Sequence, residues 1–559
     1  DQPEMMIEDS VDPNQTENVE QNENHQRGRP VGATNKIYEV NVERLASLRP
    51  RKIVALTIAG STPATYNEAI TSEESDKWLV SMKSEYDALI ENQTWDLVPR
   101  PSNKKIISVK WLFRIKDDGR YKSRLVARGF EADENDVWCT YAPVVNTDTI
   151  RLIFSIIASL NMEMIQFDVS TAFLNGFIYH DVFIEQPYGF DDGTNRVCKL
   201  KRGLYGLKES PRAWNQRFHD VIIEYGLTVS NYDSCLYHNY KNGCLIIVIL
   251  YVDDGIICST SHDEVQNVFD YLNKHFKVNL VKSDIYVGFQ YERDRQKRTI
   301  KLYQFNYTES KLKTFDMENC KGVQSPCSVE DMYQESKEDL DYPYRQAIGS
   351  LLYLATKTRP DICFGVSLLS RFVIKPLEIH VTGLKRIFRY LRSTTSYGII
   401  LGGSENIEIY AFSDSDLAGR KDDRKSTSGY VINVNGPVLW RTKTQKMVVD
   451  NTSEAEFIAC SMCSKSLRFI MNILNELKID FKRPKIFVDN QSAIAQLKQV
   501  AIPSKLKHID IKFHMVRQLV KDEILDVEWV STDGQVADLL TKSLSSPKHK
   551  HLIQLWNLN

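Results

Sequence analysis

Residues 245–259, Leu-Ile-Ile-Val-Ile-Leu-Tyr-Val-Asp-Asp-Gly-Ile-Ile-Cys-Ser, decide how this chain reads. Two apolar runs of strand length, 245–251 and 256–259, are joined at residues 252–255. Runs this short, bounded by a turn signal, predict buried strands. Asp253 and Asp254 then concentrate negative charge at the end of a buried sheet, which is unfavourable unless solvent or a divalent cation compensates it. Asp-Asp-Gly is also ordinary hairpin chemistry, so the turn alone leaves both readings open. A further carboxylate, Asp168, ends a predicted strand (164–168) 85 residues upstream. Aspartates converging from two strands suit two-metal phosphoryl transfer, because hard Mg²⁺ prefers oxygen ligands.

Composition bounds what surrounds this centre. The 559 residues suffice for three or four domains at about 150 residues each. The chain is 42% hydrophobic and 26% charged, ordinary for globular protein with more than one core. No run approaches the roughly 18 apolar residues of a membrane span, and no basic-then-apolar secretory pattern opens the sequence. The ten cysteines are scattered, several inside apolar runs, as expected of reduced thiols used as small core residues. Membrane, secreted and disulfide-scaffold classes are therefore not expected. The net charge of −2 hides a division: residues 1–26 hold eight acids and no Lys or Arg. The remainder carries 71 basic against 65 acidic residues, a net of +6. Ten Lys/Arg fall within residues 100–128, which reads either as a polyanion-binding face or as a solvated surface.

Residues 1–75 are expected as an acidic, disordered linker rich in Glu, Asn, Gln and Pro. Within it Arg27-Gly28-Arg29-Pro30 is similar to an AT-hook, whose Gly lets the backbone approach the minor-groove floor; a basic linker patch is the plainer reading. Leu79, Met82, Tyr86 and Leu89 predict an amphipathic helix, residues 106–116 and 121–130 a hairpin, and 150–159 a helix. Trp214, Phe218, Val221, Ile222 and Tyr225 stripe another helix. Expected boundaries are 76–325 for the first globular unit, 326–404 for helices, 405–545 for a second α/β unit and 546–559 for a tail. In that second unit Asp414 follows a predicted strand, and Glu454 and Glu456 open a helix. Asp489 ends a short apolar strand and Asp538 lies on a late helical segment. Acids so placed can converge on two metal ions, although Glu454 also fits an N-terminal helix turn and Asp489 a helix cap.

The segments 92–98 (NQTWDLV), 110–113 (KWLF), 122–130 (KSRLVARGF), 142–144 (APV), 168–176 (DVSTAFLNG), 204–214 (LYGLKESPRAW), 251–254 (YVDD) and 358–361 (TRPD) stand in one order. So do 413–419 (SDSDLAG), 424–430 (RKSTSGY), 453–457 (SEAEF), 507–510 (KHID) and 537–542 (ADLLTK). Together, over about residues 76–545, they resemble the reverse transcriptase and ribonuclease H portion of a copia-type retrotransposon polyprotein. The resemblance implies an α+β and α/β multidomain chain: a right-hand polymerase with fingers and palm (76–325) and thumb or connection helices (326–404), followed by a ribonuclease H-like α/β domain (405–545). It makes Asp168, Asp253 and, more weakly, Asp254 the palm acids, with Val169 offering its backbone carbonyl to the metal. Lys122 and Arg124 become candidates for the triphosphate or the template backbone. Phe173 takes the position whose ring crowds the sugar 2′ carbon, and Gly206, Lys208 and Pro211 shape the template and nucleotide floor. The ribonuclease H ligands would be Asp414, Glu456, Asp489 and Asp538. Each site would use two Mg²⁺, for which Mn²⁺ can substitute. The implied partners are an RNA template, a primer, RNA–DNA hybrid, dNTPs, and protease, integrase and capsid segments of a parent polyprotein, within a cytoplasmic virus-like particle with nuclear entry of the complex. This chain departs from the family at Glu209-Ser210, at Asn279-Leu280-Val281 and at residues 449–453 (VDNTS). A decayed or host-retained copy that only binds nucleic acid is the alternative.

Overall fold

The computed structural model describes residues 62–116, 119–132, 140–328, 341–419, 423–499 and 515–558. The AT-hook-like Arg27–Pro30 stretch, the Asp117-Asp118 turn pair and the KHID motif lie outside them. Apolar residues 245–250 build the centre of a six-stranded sheet. Its strands run in the order Val278–Val281, Glu163–Val169, Asp254–Ser259, Cys244–Tyr251, Leu236–Lys241 and Thr228–Val229. The helix Ser210–Glu224 covers one face through Trp214, Phe218, Val221 and Ile222, all buried, as the sequence stripe predicts. The helix Thr147–Ser159 covers the other and is buried over nearly its whole length.

The fingers hairpin is Val109–Ile115 against Tyr121–Ala127. It packs on the helix Ser75–Glu91, whose buried stripe is Trp78, Met82, Glu85 and Leu89. The predicted stripe is shifted: Leu79 is exposed and Tyr86 only half-buried. The reason is tertiary, because Trp78 stacks edge-on against Phe113 and Tyr121 while buried Glu85 faces Lys122. Helical structure is present within the stretch expected as linker. Thr65 caps a short helix, Tyr66–Thr71, with Ala69 buried.

A second sheet follows the palm, ordered Ile285–Tyr286, Phe289–Asp294, Thr299–Tyr303 and Gly398–Gly402. The last strand therefore returns to the hairpin 289–303 after the helices Tyr344–Lys357, Cys363–Ser370 and Glu378–Ser393. A five-stranded sheet then runs in the order Pro437–Thr444, Thr427–Val434, Ile409–Asp416, Lys485–Val488 and Asp526–Trp529. Its first three strands are antiparallel and the last two join in parallel, with the helix Thr452–Glu476 across one face. That helix has the length and apolarity of a membrane span, but fifteen of its residues are buried within this fold. Residues 546–558, expected as a tail, form the helix Ser546–Leu555 with Leu552, Ile553 and Trp556 buried.

The polymerase-like and nuclease-like parts share one apolar core running from Val145 to Leu558. Arg151 sits at its centre, fully buried, with its guanidinium 3.9 Å over the Trp440 ring. It donates to Val438 O at 2.6 Å, to Thr356 O at 2.8 Å and to Lys357 O at 2.9 Å, and it pairs with Asp148, which also pairs with Arg441. Removing one partner of such a buried ionic network strands the others without water. Arg151→Met is expected to lower unfolding stability by about 3–5 kcal/mol in a denaturant titration.

Candidate active sites

At the first site the turn is tighter than the sequence suggests. Only Val252 and Asp253 form it: Tyr251 pairs with Asp254, which already belongs to the next strand. Val252 adopts φ 59°, costly for a β-branched residue, and strain of this kind concentrates at functional sites. Two bonds hold it there: Trp214 Nε1 donates to Val252 O at 2.6 Å, and Val169 N donates to Asp253 O at 2.9 Å. Gly255 is required because a Cβ there would lie 2.2 Å from the Phe167 ring.

Register brings the acids together. Asp254 lies opposite Asp168 on the neighbouring strand, and Asp253 tops the turn beside them. Burial raises the pKa of Asp253, with the Asp168 charge adding to the rise. Burial, then the Asp253 and Asp168 charges, raise Asp254 to about 6. Three half-buried carboxylates in mutual repulsion make a donor set of hard oxygens that suits a divalent cation.

Arg124 supplies positive charge from the fingers: its field reaches Asp253, and its guanidinium lies 5.1 Å over the Tyr205 ring. Tyr205 in turn meets Phe173 at 4.9 Å between centroids. An alternating strand would turn Phe173 away from the acids. The chain bends instead: Thr171 has φ 53° and residues Ala172–Asn175 form a helical turn. Phe173, Tyr205 and Arg124 thus form a row beside Asp253, and sequence reading had singled out no role for Tyr205. Lys122 is held differently, 3.7 Å from Glu85 on the fingers helix. Pro211 occupies the first turn of its helix, and exposed Lys208 lines a small cleft with Lys104 and Lys105. The basic run 100–128 is partly spent internally, with Arg100 on Glu185 and Arg128 near Glu131.

The second site lies at the end of the central nuclease-like strand. Asp414 is fully buried on that strand, Asp489 follows Lys485–Val488, and Asp538 sits in the turn Val536–Leu540. Their ligand atoms lie within 4.8 Å of one another. Glu456 joins from the helix: its Oε1 accepts from Ser415 N at 3.2 Å, and its buried Oε2 has no hydrogen-bond partner. Burial, then the Asp414 and Asp489 charges, push its pKa well up. An unpartnered carboxylate oxygen beside three further acids suits a divalent cation. Glu454 is the helix-end residue instead, its backbone N–H capped by Asn451 and its carboxylate bonded to the same side chain at 2.7 Å. Asp489 does not cap the following helix, since Asn490 does. Lys542, Lys548 and Thr541, none of them foreseen, close around Asp414 and Asp538.

Residues 92–329 match the family model described as reverse transcriptase (RNA-dependent DNA polymerase). The chain is 31% identical over 306 residues to a putative transposon Ty5-1 protein of Saccharomyces cerevisiae, spanning 53% of this chain and 98% of that one. It is 35% identical over 508 residues to the retrovirus-related Pol polyprotein from transposon TNT 1-94 of Nicotiana tabacum. The chain belongs to the copia-type retrotransposon Pol family. The Nicotiana match covers 87% of this chain but 38% of its relative, so the chain spans little more than a third of that polyprotein's length. A solved foamy viral protease–reverse transcriptase with double-stranded DNA is similar at 11% identity and a TM-score of 0.48, over 82% of this chain and 70% of that one.

Within this copia-type Pol chain the three departures from the family pattern are each accommodated. Glu209 lies 2.9 Å from His180. Asn279 pairs in register with Asp168 and donates to Ser170 Oγ at 2.7 Å. Asn451 caps the nuclease helix. Gly206 explains the fingers–palm contact: at φ +91°, a Cβ there would lie 2.1 Å from Ala127 O, in the strand that carries Arg124. Gly206→Ala is expected to cost more than about 1 kcal/mol of stability, measured by denaturant titration.

Proposed function

We propose that the chain is an RNA-directed DNA polymerase with an attached ribonuclease H, working on RNA template, primer, dNTPs and RNA–DNA hybrid. The observation that carries the reading is the in-register pairing of Asp254 with Asp168 beneath Asp253. Bound at these acids, Mg²⁺ would neutralise the charge that develops during phosphoryl transfer. Asp168, Asp253 and Asp254 would hold it at the palm, with the Val169 carbonyl beside them. Asp414, Glu456, Asp489 and Asp538 would hold it at the nuclease site. Arg124 is placed to draw the triphosphate toward Asp253, and Tyr205 keeps that guanidinium in line by stacking. Lys122, tied to Glu85, belongs to the template side of the same hairpin.

The test is primer extension on an RNA template by the purified chain with Mg²⁺, together with cleavage of RNA in a hybrid. Asp253→Asn should abolish extension and spare cleavage, and Asp414→Asn should do the reverse, because each acid belongs to a different cluster. Loss of both activities from either change, in a folded protein, would sink the two-site reading.

Phe173 gives a sharper test of nucleotide geometry. A ring fixed by the bend at Thr171 and by Tyr205 excludes a 2′-hydroxyl through overlap, with no hydrogen bond involved. Phe173→Val should therefore raise ribonucleotide use while leaving deoxynucleotide use nearly unchanged. The readout is the ratio of kcat/KM for dNTP over rNTP, where each tenfold loss corresponds to about 1.4 kcal/mol. A constant ratio in an active variant assigns Phe173 to packing.

A further inference from the structure

Lys542 stands four residues after Asp538 and reaches back into the acid cluster. Its Nζ lies 3.0 Å from Asp414 Oδ1 and 2.8 Å from Asp538 Oδ1. The ammonium is therefore shared by two of the three carboxylates that close within 4.8 Å of one another. Around it, Lys548 holds the other Asp538 oxygen at 2.6 Å and Thr541 donates to the other Asp414 oxygen. Asp414 and Asp538 are fully buried and Glu456 nearly so, so the cluster depends on neighbouring cations for neutralisation, and Lys542 is the one that bridges Asp414 and Asp538. Lys542 also lines an open cavity of about 660 Å³ with Arg371, Arg386, Asp416, Thr442 and Ser545. Its four-carbon stem is flexible and its own side chain about a third exposed, so the ammonium has room to leave the acids.

We propose that Lys542 is the exchangeable counter-ion of the nuclease site: it neutralises Asp414 and Asp538 in the metal-free protein, and a divalent cation binds by displacing it into the adjoining cavity. The inference rests on the nuclease reading of Asp414, Glu456, Asp489 and Asp538. A cation and an ammonium cannot share the same pair of oxygens without strong repulsion. Metal affinity is accordingly reduced by the fraction of time the lysine occupies the cluster. The arrangement keeps costly buried acids compatible with folding before metal arrives, at the expense of weaker metal binding.

The experiment is Mn²⁺ titration of the full chain, followed by electron paramagnetic resonance of the free ion, with Asp253→Asn present to weaken the palm site. Asp414→Asn on that background identifies the nuclease component. Lys542→Met is expected to bind Mn²⁺ there about tenfold more tightly, and Lys542→Gln likewise should its partner fold poorly. The metal-free Tm of both variants should fall, and Mn²⁺ should raise it by more than it raises the parent's. A lysine that merely braces the site gives the opposite result, with Mn²⁺ affinity unchanged or weaker on its removal; that outcome overturns the counter-ion. If neither the parent nor the Lys542 variants show an Asp414-dependent Mn²⁺ site, the nuclease reading fails and takes the proposal with it.

Discussion

A guanidinium with no access to water is the constraint on which the rest of the molecule depends. Arg151 leaves a palm helix, stacks on Trp440 of the nuclease-like sheet and satisfies carbonyls of both that sheet and the helix Tyr344–Lys357. Burial lowers its pKa to about 10, yet the Asp148 carboxylate keeps it charged at neutral pH. Three regions far apart in sequence must therefore arrive in one geometry or leave an ion unpaired in an apolar core. Neighbouring contacts extend the same joint: Asn435 donates to Ser159 Oγ at 2.9 Å, and Tyr240 OH donates to Leu477 O at 2.9 Å. The two acidic sites are consequently borne by one body, with the polymerase-like and nuclease-like sheets joined to a common core.

Both sites solve the same electrostatic problem by different means. At the palm, the acids stay half exposed, and a strained turn holds Asp253 at the tip of its hairpin. At the nuclease site they are drawn into the protein and must be neutralised there. The buried pair Arg359–Asp361 shows what a purely structural solution looks like. It is closed by Tyr390 OH at 2.7 Å from Asp361 and by Thr394 O accepting from Arg359 at 2.8 Å, with no oxygen left pointing at an open site. The orphan Oε2 of Glu456 marks the contrast.

Much of this was legible before any coordinates. The apolar blocks flanking Asp253-Asp254, the stripe on Ser210–Glu224 and the strand delivering Asp414 all follow from local patterning. The structure brings Asp414, Asp489 and Asp538 within 4.8 Å of one another, with Glu456 on the adjoining helix, and Asp489 follows its short apolar strand as local patterning indicates. What escaped depends on tertiary contact. The fingers helix turned its stripe because Glu85 is buried against Lys122, and periodicity assigns a glutamate to solvent. The palm turn is two residues long because the strands pair as far as Tyr251 and Asp254, a reach that local patterning does not show. Glu456 rather than Glu454 came from the resemblance alone, and the Asn451 bonds that tie Glu454 to the helix end show only in three dimensions. Lys542 and Lys548 carried no reading in the sequence, and only their distances to Asp538 show that they close on it.

The strand Gly398–Gly402 carries a consequence for how the chain acquires its shape. It completes the sheet begun by Phe289–Asp294 and Thr299–Tyr303, although residues 304–397 intervene, and its Ile399 is bridged in turn by Leu558. The six-stranded palm sheet is assembled entirely from residues 163–281 and can form early. Its neighbour must wait for a partner that emerges much later in synthesis, and closing so long a loop carries an entropic cost before any contact rewards it. Until then an apolar hairpin edge stands open, the kind of surface that invites pairing with another chain. Topology thus makes the palm sheet local in sequence and its neighbour dependent on a strand nearly a hundred residues away.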